Sequence, residues 1–390
     1  MPRPDTGRPP AVAILACLSF ILVGWSGLLA PSLIRSIKLD FVQTDAGIGL
    51  FYFLSATGLA SGSLGGGFVT EKVGRRPIIA SAALLMGVGL IGMAVAGSWE
   101  IFLLAGLLLG LGAGAVDGGM NGLILDLFRH ARGRALNLLH LFFSIGALAA
   151  PLAVGRVVEA GVAWQTILLA SGLVALPLAG LIAFAAQPSG RHHAIGRRTA
   201  GRLGIAPVLI ALGLAIALYV ASEVGVSNWL VAFLEAAPIG TATTALSLFW
   251  VGLTLGRLTS ARVSDRFDHV RFATISAAVA SVGIVLAVVV PSLPASVALF
   301  AFAGFAFGPV YPLIVAIGGE RFPGRSAAVA GFLSGTAILG SLVYPPIMGF
   351  MSVSVGLPIA MLGTAGLGLA CAVVLYAVGR STGRAGLALM

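Results

Sequence analysis

Gly67-Phe68-Val69-Thr70-Glu71-Lys72-Val73-Gly74-Arg75-Arg76-Pro77 joins two long apolar runs, and a short charged hinge between two bilayer-length segments decides the fold. Each residue type has a physical use there. Gly67 lets two helices touch, Glu71 can pair with a helix end or an arginine, and Gly74 ahead of Arg75 and Arg76 permits a tight turn. A degraded copy stands in the second half, Gly252-Leu253-Thr254-Leu255-Gly256-Arg257-Leu258, followed by Asp265-Arg266. A charged hinge that recurs after the second and the eighth apolar run is the trace left by duplication of a six-helix unit.

Working outward, the composition agrees with a lipid solvent. Of 390 residues, 58% are apolar and 9% charged, and the mean hydropathy is +1.06, far from the roughly 25% charged content of a soluble domain. The 54 glycines point the same way, because small residues let membrane helices approach where no hydrophobic effect drives them together. The net charge of +10 does not indicate nucleic acid, since the cations sit in short runs between apolar segments rather than along one stripe. Cys17 and Cys371 fall inside apolar segments, with no metal spacing and no disulfide role. The first apolar run is too long for a signal-peptide core and reads as a retained helix.

A ruler of about 20 apolar residues places spans at roughly 11–34, 46–70, 77–97, 101–128, 135–158 and 164–186, then 206–233, 240–262, 270–290, 295–317, 326–350 and 355–379. The expected fold is all-α, twelve transmembrane helices in two pseudo-symmetric six-helix bundles, 1–186 and 206–390, joined by a basic linker at 187–205. The linker's His192-His193 pair reads as part of a solvated segment rather than as a metal site. Alternating sides leaves Arg35, Lys38 and Arg156 on one side and the other 20 of the 23 Lys and Arg residues on the opposite one. By the positive-inside rule, both termini and the linker are expected in the cytoplasm of a cell whose inner (plasma) membrane holds the protein.

Charge is costly at membrane depth, so each polar residue there is a functional candidate. In the fourth span Asp117 and Asn121 are four apart on one face, beside the glycines of Gly112-Ala113-Gly114 and Gly118-Gly119. The fifth span offers His140 and Ser144, again four apart. The seventh holds Tyr219, Glu223, Asn228 and Trp229, with Gly225 positioned to break the helix and admit water. Tyr311 sits between Pro309 and Pro312, which free backbone carbonyls, and Trp250 in the eighth span is a further aromatic candidate. Arg257, near the end of the eighth span, reads as snorkelling toward the headgroups.

The hinge Gly67 to Pro77 resembles the signature loop of the major facilitator superfamily, G-x-x-x-D-R/K-x-G-R-R, with Glu71 in the usual Asp position. The resemblance covers essentially the whole chain. It implies two bundles rocking about a central site, with a cytoplasmic gate motif of Gly67, Glu71, Lys72, Gly74, Arg75 and Arg76 and its copy Gly256, Arg257, Asp265 and Arg266. The segment from Gly114, Asp117 and Asn121 to His140, Gly146 and Pro151 is similar to the fucose/glucose/galactose symporter branch. Glu223 with Trp229, and Tyr311-Pro312 followed by Glu320-Arg321-Phe322-Pro323, resemble its sodium-dependent glucose transporter-like members. In that branch an acid followed four residues later by Asn implies proton coupling and substrate hydrogen bonding, which Asp117 and Asn121 inherit. The symporter's acidic residue in its first helix has no counterpart in Gly24-Trp25-Ser26-Gly27.

The expected function is cation-coupled uptake of a sugar or polyol, with H+ the coupling ion and Na+ the alternative, and no other cofactor. Efflux of hydrophobic compounds is the runner-up. A non-transporting sensor or a membrane enzyme finds no nucleotide loop, zinc spacing or Ser/His/Asp constellation to stand on. The expected partners are the small-molecule substrate and the lipid bilayer, around a monomer that encloses its own pathway.

Overall fold

A backbone in hydrocarbon must satisfy its polar groups within its own segment, so the apolar runs fold as helices. The computed structural model describes residues 11–128, 132–185, 206–322 and 324–387. In chain order the helices are α1 (Ala11–Asp40), α2 (Asp45–Val73), α3 (Arg75–Ala94), α4 (Trp99–Leu127), α5 (Arg132–Glu159), α6 (Trp164–Phe184), α7 (Pro207–Phe233), α8 (Ile239–Val263), α9 (His269–Val289), α10 (Leu293–Phe307), α11 (Val310–Arg321), α12 (Ser326–Val355) and α13 (Leu357–Leu387). Among the described residues twelve stretches are long and apolar enough to cross a membrane, and there is no strand. The tenth, Leu293–Arg321, is α10 and α11 together, interrupted at Gly308 and Pro309. Proline has no N–H to donate and its ring crowds the preceding turn, which is why the helix restarts there.

Two boundaries differ from the sequence reading in an informative way. The hinge is not a loop: α2 runs through Glu71 and Lys72 to Val73, and one residue, Gly74 at φ 95°, separates it from α3. That backbone angle is closed to residues with a Cβ, which explains the glycine before the arginines. At the other end α1 continues past residue 34 to Asp40, with Lys38 in its last turn, where a cation favours the negative end of the helix dipole.

Contacts divide the chain into two compact units. The first comprises residues 1–27, 57–147 and 165–193, the second 28–56, 148–164 and 194–390, so α1, α2 and α5 each contribute to both. In the first unit, Gly58 and Gly62 of α2 lie so close to the α4 backbone at Leu107 and Leu111 that a Cβ at either would collide, and Gly114 of α4 returns the approach at Leu59. In the second unit, Gly252 and Gly256 of α8 do the same against α10 at Ala301 and Phe305, with Gly304 and Gly308 facing back. The same four-residue spacing thus builds the same kind of backbone contact in each unit, which is how helices hold together in lipid. Gly225 is a correction to the sequence reading. It does not break α7, which is continuous, but gives room to Tyr344, Met348 and Thr364 side chains.

Candidate functional site

In the first unit the polar centre lies on α4. One turn of helix separates Asp117 from Asn121, and the Asn121 Nδ2 donates to Asp117 Oδ1 at 3.2 Å. The other amide atom, Asn121 Oδ1, is buried with no hydrogen-bond partner among the described residues. An acceptor left unpaired costs about 1–3 kcal/mol, so it marks a place where a donor from outside the chain would be welcome. Close packing of Gly114 against α2 brings this face of α4 to its neighbour. On α5, His140 is exposed and meets the Phe20 ring edge-on with centroids 5.4 Å apart, while buried Ser144 donates back to the His140 carbonyl at 3.2 Å. Trp25 Nε1 donates to Ser171 Oγ at 2.9 Å.

The second unit gathers Tyr219, Glu223, Arg257 and Tyr311. Glu223, 7% exposed on α7, faces Arg257 of α8 with Oε1 to Nη2 at 3.7 Å. One turn before it, fully buried Tyr219 stands edge-on to Phe307 at 5.4 Å and tilted against Tyr311 at 6.4 Å. The Tyr311 hydroxyl is 3.2 Å from Ser334 Oγ. Arg257 therefore does not snorkel to the headgroups, because Gly252 and Gly256 occupy the α10 side of the helix and turn the next residue toward α7. Other residues singled out in the sequence serve packing here. Trp229 Nε1 donates to the Pro345 carbonyl at 3.0 Å, Trp250 Nε1 to Ser227 Oγ at 2.9 Å, and the Asn228 carbonyl accepts from Tyr52 at 2.9 Å.

The same unit contains a group that sequence reasoning missed. Arg35, near the Asp40 end of α1, donates to the carbonyls of Val231 at 3.1 Å, Ala237 at 2.8 Å and Leu234, around the end of α7. Carbonyls at a helix C-terminus carry the dipole's negative charge, which an arginine fork matches; that of Leu234 also accepts from Ala237 N at 2.9 Å. Beside it Tyr52 of α2 meets Trp229 edge-on at 5.7 Å, Ser352 of α12 bonds Asp45, Gly240 N donates to Glu159 at 2.9 Å, and Ser247 donates to the Leu148 carbonyl at 2.9 Å. These contacts tie the ends of α1, α2 and α5 to α7, α8 and α12. The only signal in the sequence was Arg35's place among the few cations of the charge-poor side.

At the hinge, Arg75 Nη2 pairs with Asp126 Oδ2 of α4 at 2.9 Å and Arg76 Nε donates to the Ala183 carbonyl of α6. Asp126 is a second residue the sequence reading passed over. The surroundings of Gly67, Glu71 and Lys72 lie outside the described residues, as does the linker 187–205 with His192 and His193. Asp265 and Arg266 form a single exposed 3-10 turn.

The family model of the Major Facilitator Superfamily matches residues 12–236 and again 208–387. A gentisate transporter of Corynebacterium glutamicum is 24% identical over 385 residues, 93% of this chain and 86% of that protein. Among solved structures, a bacterial homolog of the human lysosomal transporter Spinster superposes with a TM-score of 0.82 at 15% identity, covering 96% of this chain and 98% of the other. A D-xylose-proton symporter does so with a TM-score of 0.79 at 16% identity, covering 94% and 97%.

Proposed function

This chain belongs to the Major Facilitator Superfamily, a transporter of small solutes and not an enzyme, and from that premise we propose that it is a proton-coupled uptake system for a small hydroxyl-bearing solute. The observation that carries the reading is the α4 pair. Asp117 supplies a carboxyl group at membrane depth that can alternate between protonated and ionised forms. Asn121 offers its unpartnered Oδ1 to a hydroxyl donor of the solute. Sugars and polyols, the class implied by the resemblance to the fucose/glucose/galactose branch, meet that requirement.

In this reading the chain halves 1–186 and 206–390 rock about the site, the hinge and both termini face the cytoplasm, and the Arg35 cluster lies on the outer side. Arg35 and its neighbours then form the outer latch, made in this conformation and broken when the site opens outward. Arg75 and Asp126 work on the inner side. Alternation needs the two sets to be favoured in different states, so that a ligand with unequal affinity for the states shifts the balance.

A second reading is favoured by one specific feature, the cation Arg257 among aromatic rings, which suits a solute that carries a carboxylate as well as a hydroxyl. The gentisate transporter among the relatives supports it. Counterflow and pH-driven accumulation in proteoliposomes, over a panel of sugars, polyols and hydroxylated acids, test the proposal. Extrusion of lipophilic dyes with no accumulation of any polar solute would replace uptake with efflux.

A further inference from the structure

We propose that Arg257 is the binding post for an organic carboxylate, which displaces Glu223 as the counter-ion of its guanidinium. The inference rests on the transport reading and names the solute class for the second-unit cluster.

Arg257 is an arginine whose fork closes on no carboxylate at hydrogen-bond distance among the described residues. At 3.7 Å its nearest Glu223 oxygen lies beyond hydrogen-bond length, and its other polar neighbours are the Tyr219 and Tyr311 hydroxyls. The contrast within the same protein is sharp. Arg35 places three donors on three carbonyls, and Arg75 closes on Asp126 at 2.9 Å. A guanidinium has five N–H donors in a fixed fork, and a free carboxylate presents two oxygens in the plane that matches it. Glu223, held on a packed α7, reaches with one oxygen only.

A second, independent observation points at the same spot. The Tyr219 hydroxyl is fully buried and makes no hydrogen bond of good geometry among the described residues, with Glu223 and Arg257 as its polar neighbours. Tyr311 lies within electrostatic reach of Arg257 as well. Phe307 and Tyr311 bracket the interruption between α10 and α11, which places their rings against Tyr219. The Arg257 side chain is 32% exposed, whereas the side chain of Glu223 is 9% exposed. The base of Arg257 is fixed, since Gly256 and Gly308 lock α8 to α10 at backbone distance. A cation whose fork no carboxylate fills, a phenol without a well-formed hydrogen bond and aromatic walls make a site for a small carboxylate, preferably one on a ring. A free carboxylate can compete with Glu223 for the guanidinium, whereas a neutral solute leaves Arg257 and Glu223 as they are.

The test uses the purified full-length protein and paired probes of equal shape, benzoate against benzamide and gluconate against sorbitol, read by thermal shift and calorimetry. The expected result is that at least one acid binds and its neutral partner does not. Glu223→Gln removes the competitor and tightens that acid by about tenfold or more, and the acid restores the melting temperature that the unpaired arginine has lost. Arg257→Gln abolishes the selectivity, and Arg257→Lys, which keeps charge and fold but lacks the fork, recovers it only in part. Equal binding of acid and neutral partner overturns the proposal, as does loss of acid binding in Glu223→Gln, which would mean that the pair is a structural unit. Accumulation of a neutral solute that survives Arg257→Gln overturns this inference and leaves transport standing. Carboxylate binding with no flux of any solute keeps the anion site and removes transport.

Discussion

Arg35→Ala removes the centre of the proposed outer latch, and the structure sets the scale of the effect. Three carbonyls at the end of α7, those of Val231, Leu234 and Ala237, lose their charged donor. In the opened state arginine and carbonyls exchange these bonds for water, so each is worth only about 1 kcal/mol net. The sum of about 3 kcal/mol shifts a two-state equilibrium by roughly two orders of magnitude toward the state with this end open. Spin labels at exposed Leu39 and Ala236, with Cys17 and Cys371 replaced by alanine, report the separation of the ends of α1 and α7 in nanodiscs. The substitution is expected to populate a longer distance and to raise labelling at residue 236. An unchanged distance distribution and unchanged labelling would show that Arg35 is packing ornament rather than latch.

Three further outcomes follow from the same geometry. Asn121→Ala removes the amide whose Oδ1 stands unpartnered, and is expected to weaken solute binding by about tenfold, with coupling kept, as read by the half-saturation of counterflow. Arg75→Ala removes the ion pair with Asp126 at a partly exposed site, and is expected to slow turnover several-fold, consistent with about 1 kcal/mol, while solute affinity measured by calorimetry stays within a factor of two. Gly256→Val puts a side chain where the Phe305 carbonyl and Gly308 lie, forcing α8 from α10 at a cost of about 1–3 kcal/mol, seen as a lower melting temperature. The same change at exposed Gly331, where a Cβ meets nothing, is expected to leave melting unaltered.

Much of the fold is legible in the chain because its signals are local. A bilayer-length apolar run dictates a helix whatever surrounds it, and the twelve stretches long enough to cross lie where the hydropathy places them. The Asp117 and Asn121 contact was legible for the same reason, since residues four apart on a helix meet. What escaped the sequence depends on which face a helix turns to its neighbour. Arg257 read as a headgroup anchor because a cation near a helix end has two outlets, and only the glycine seats on the α10 side decide between them. Gly225 read as a break because glycine serves both bends and close contacts, and three side chains from other helices fill its place. Arg35 and Asp126 were passed over because their partners are remote in sequence, one of them a set of backbone carbonyls that no side-chain pattern announces.

The central claim is that Asp117 couples solute movement to protons, and one substitution addresses it directly. Asp117→Asn replaces the carboxyl group with an amide of nearly the same shape that mimics its protonated form and cannot release a proton. In proteoliposomes with an imposed pH gradient and a solute identified from the panel, wild type is expected to accumulate the solute above its external concentration. Asp117→Asn is expected to bring it only to equilibrium while counterflow exchange continues at a comparable rate. Accumulation against the gradient by Asp117→Asn would contradict the claim and move the coupling site to Glu223 or His140.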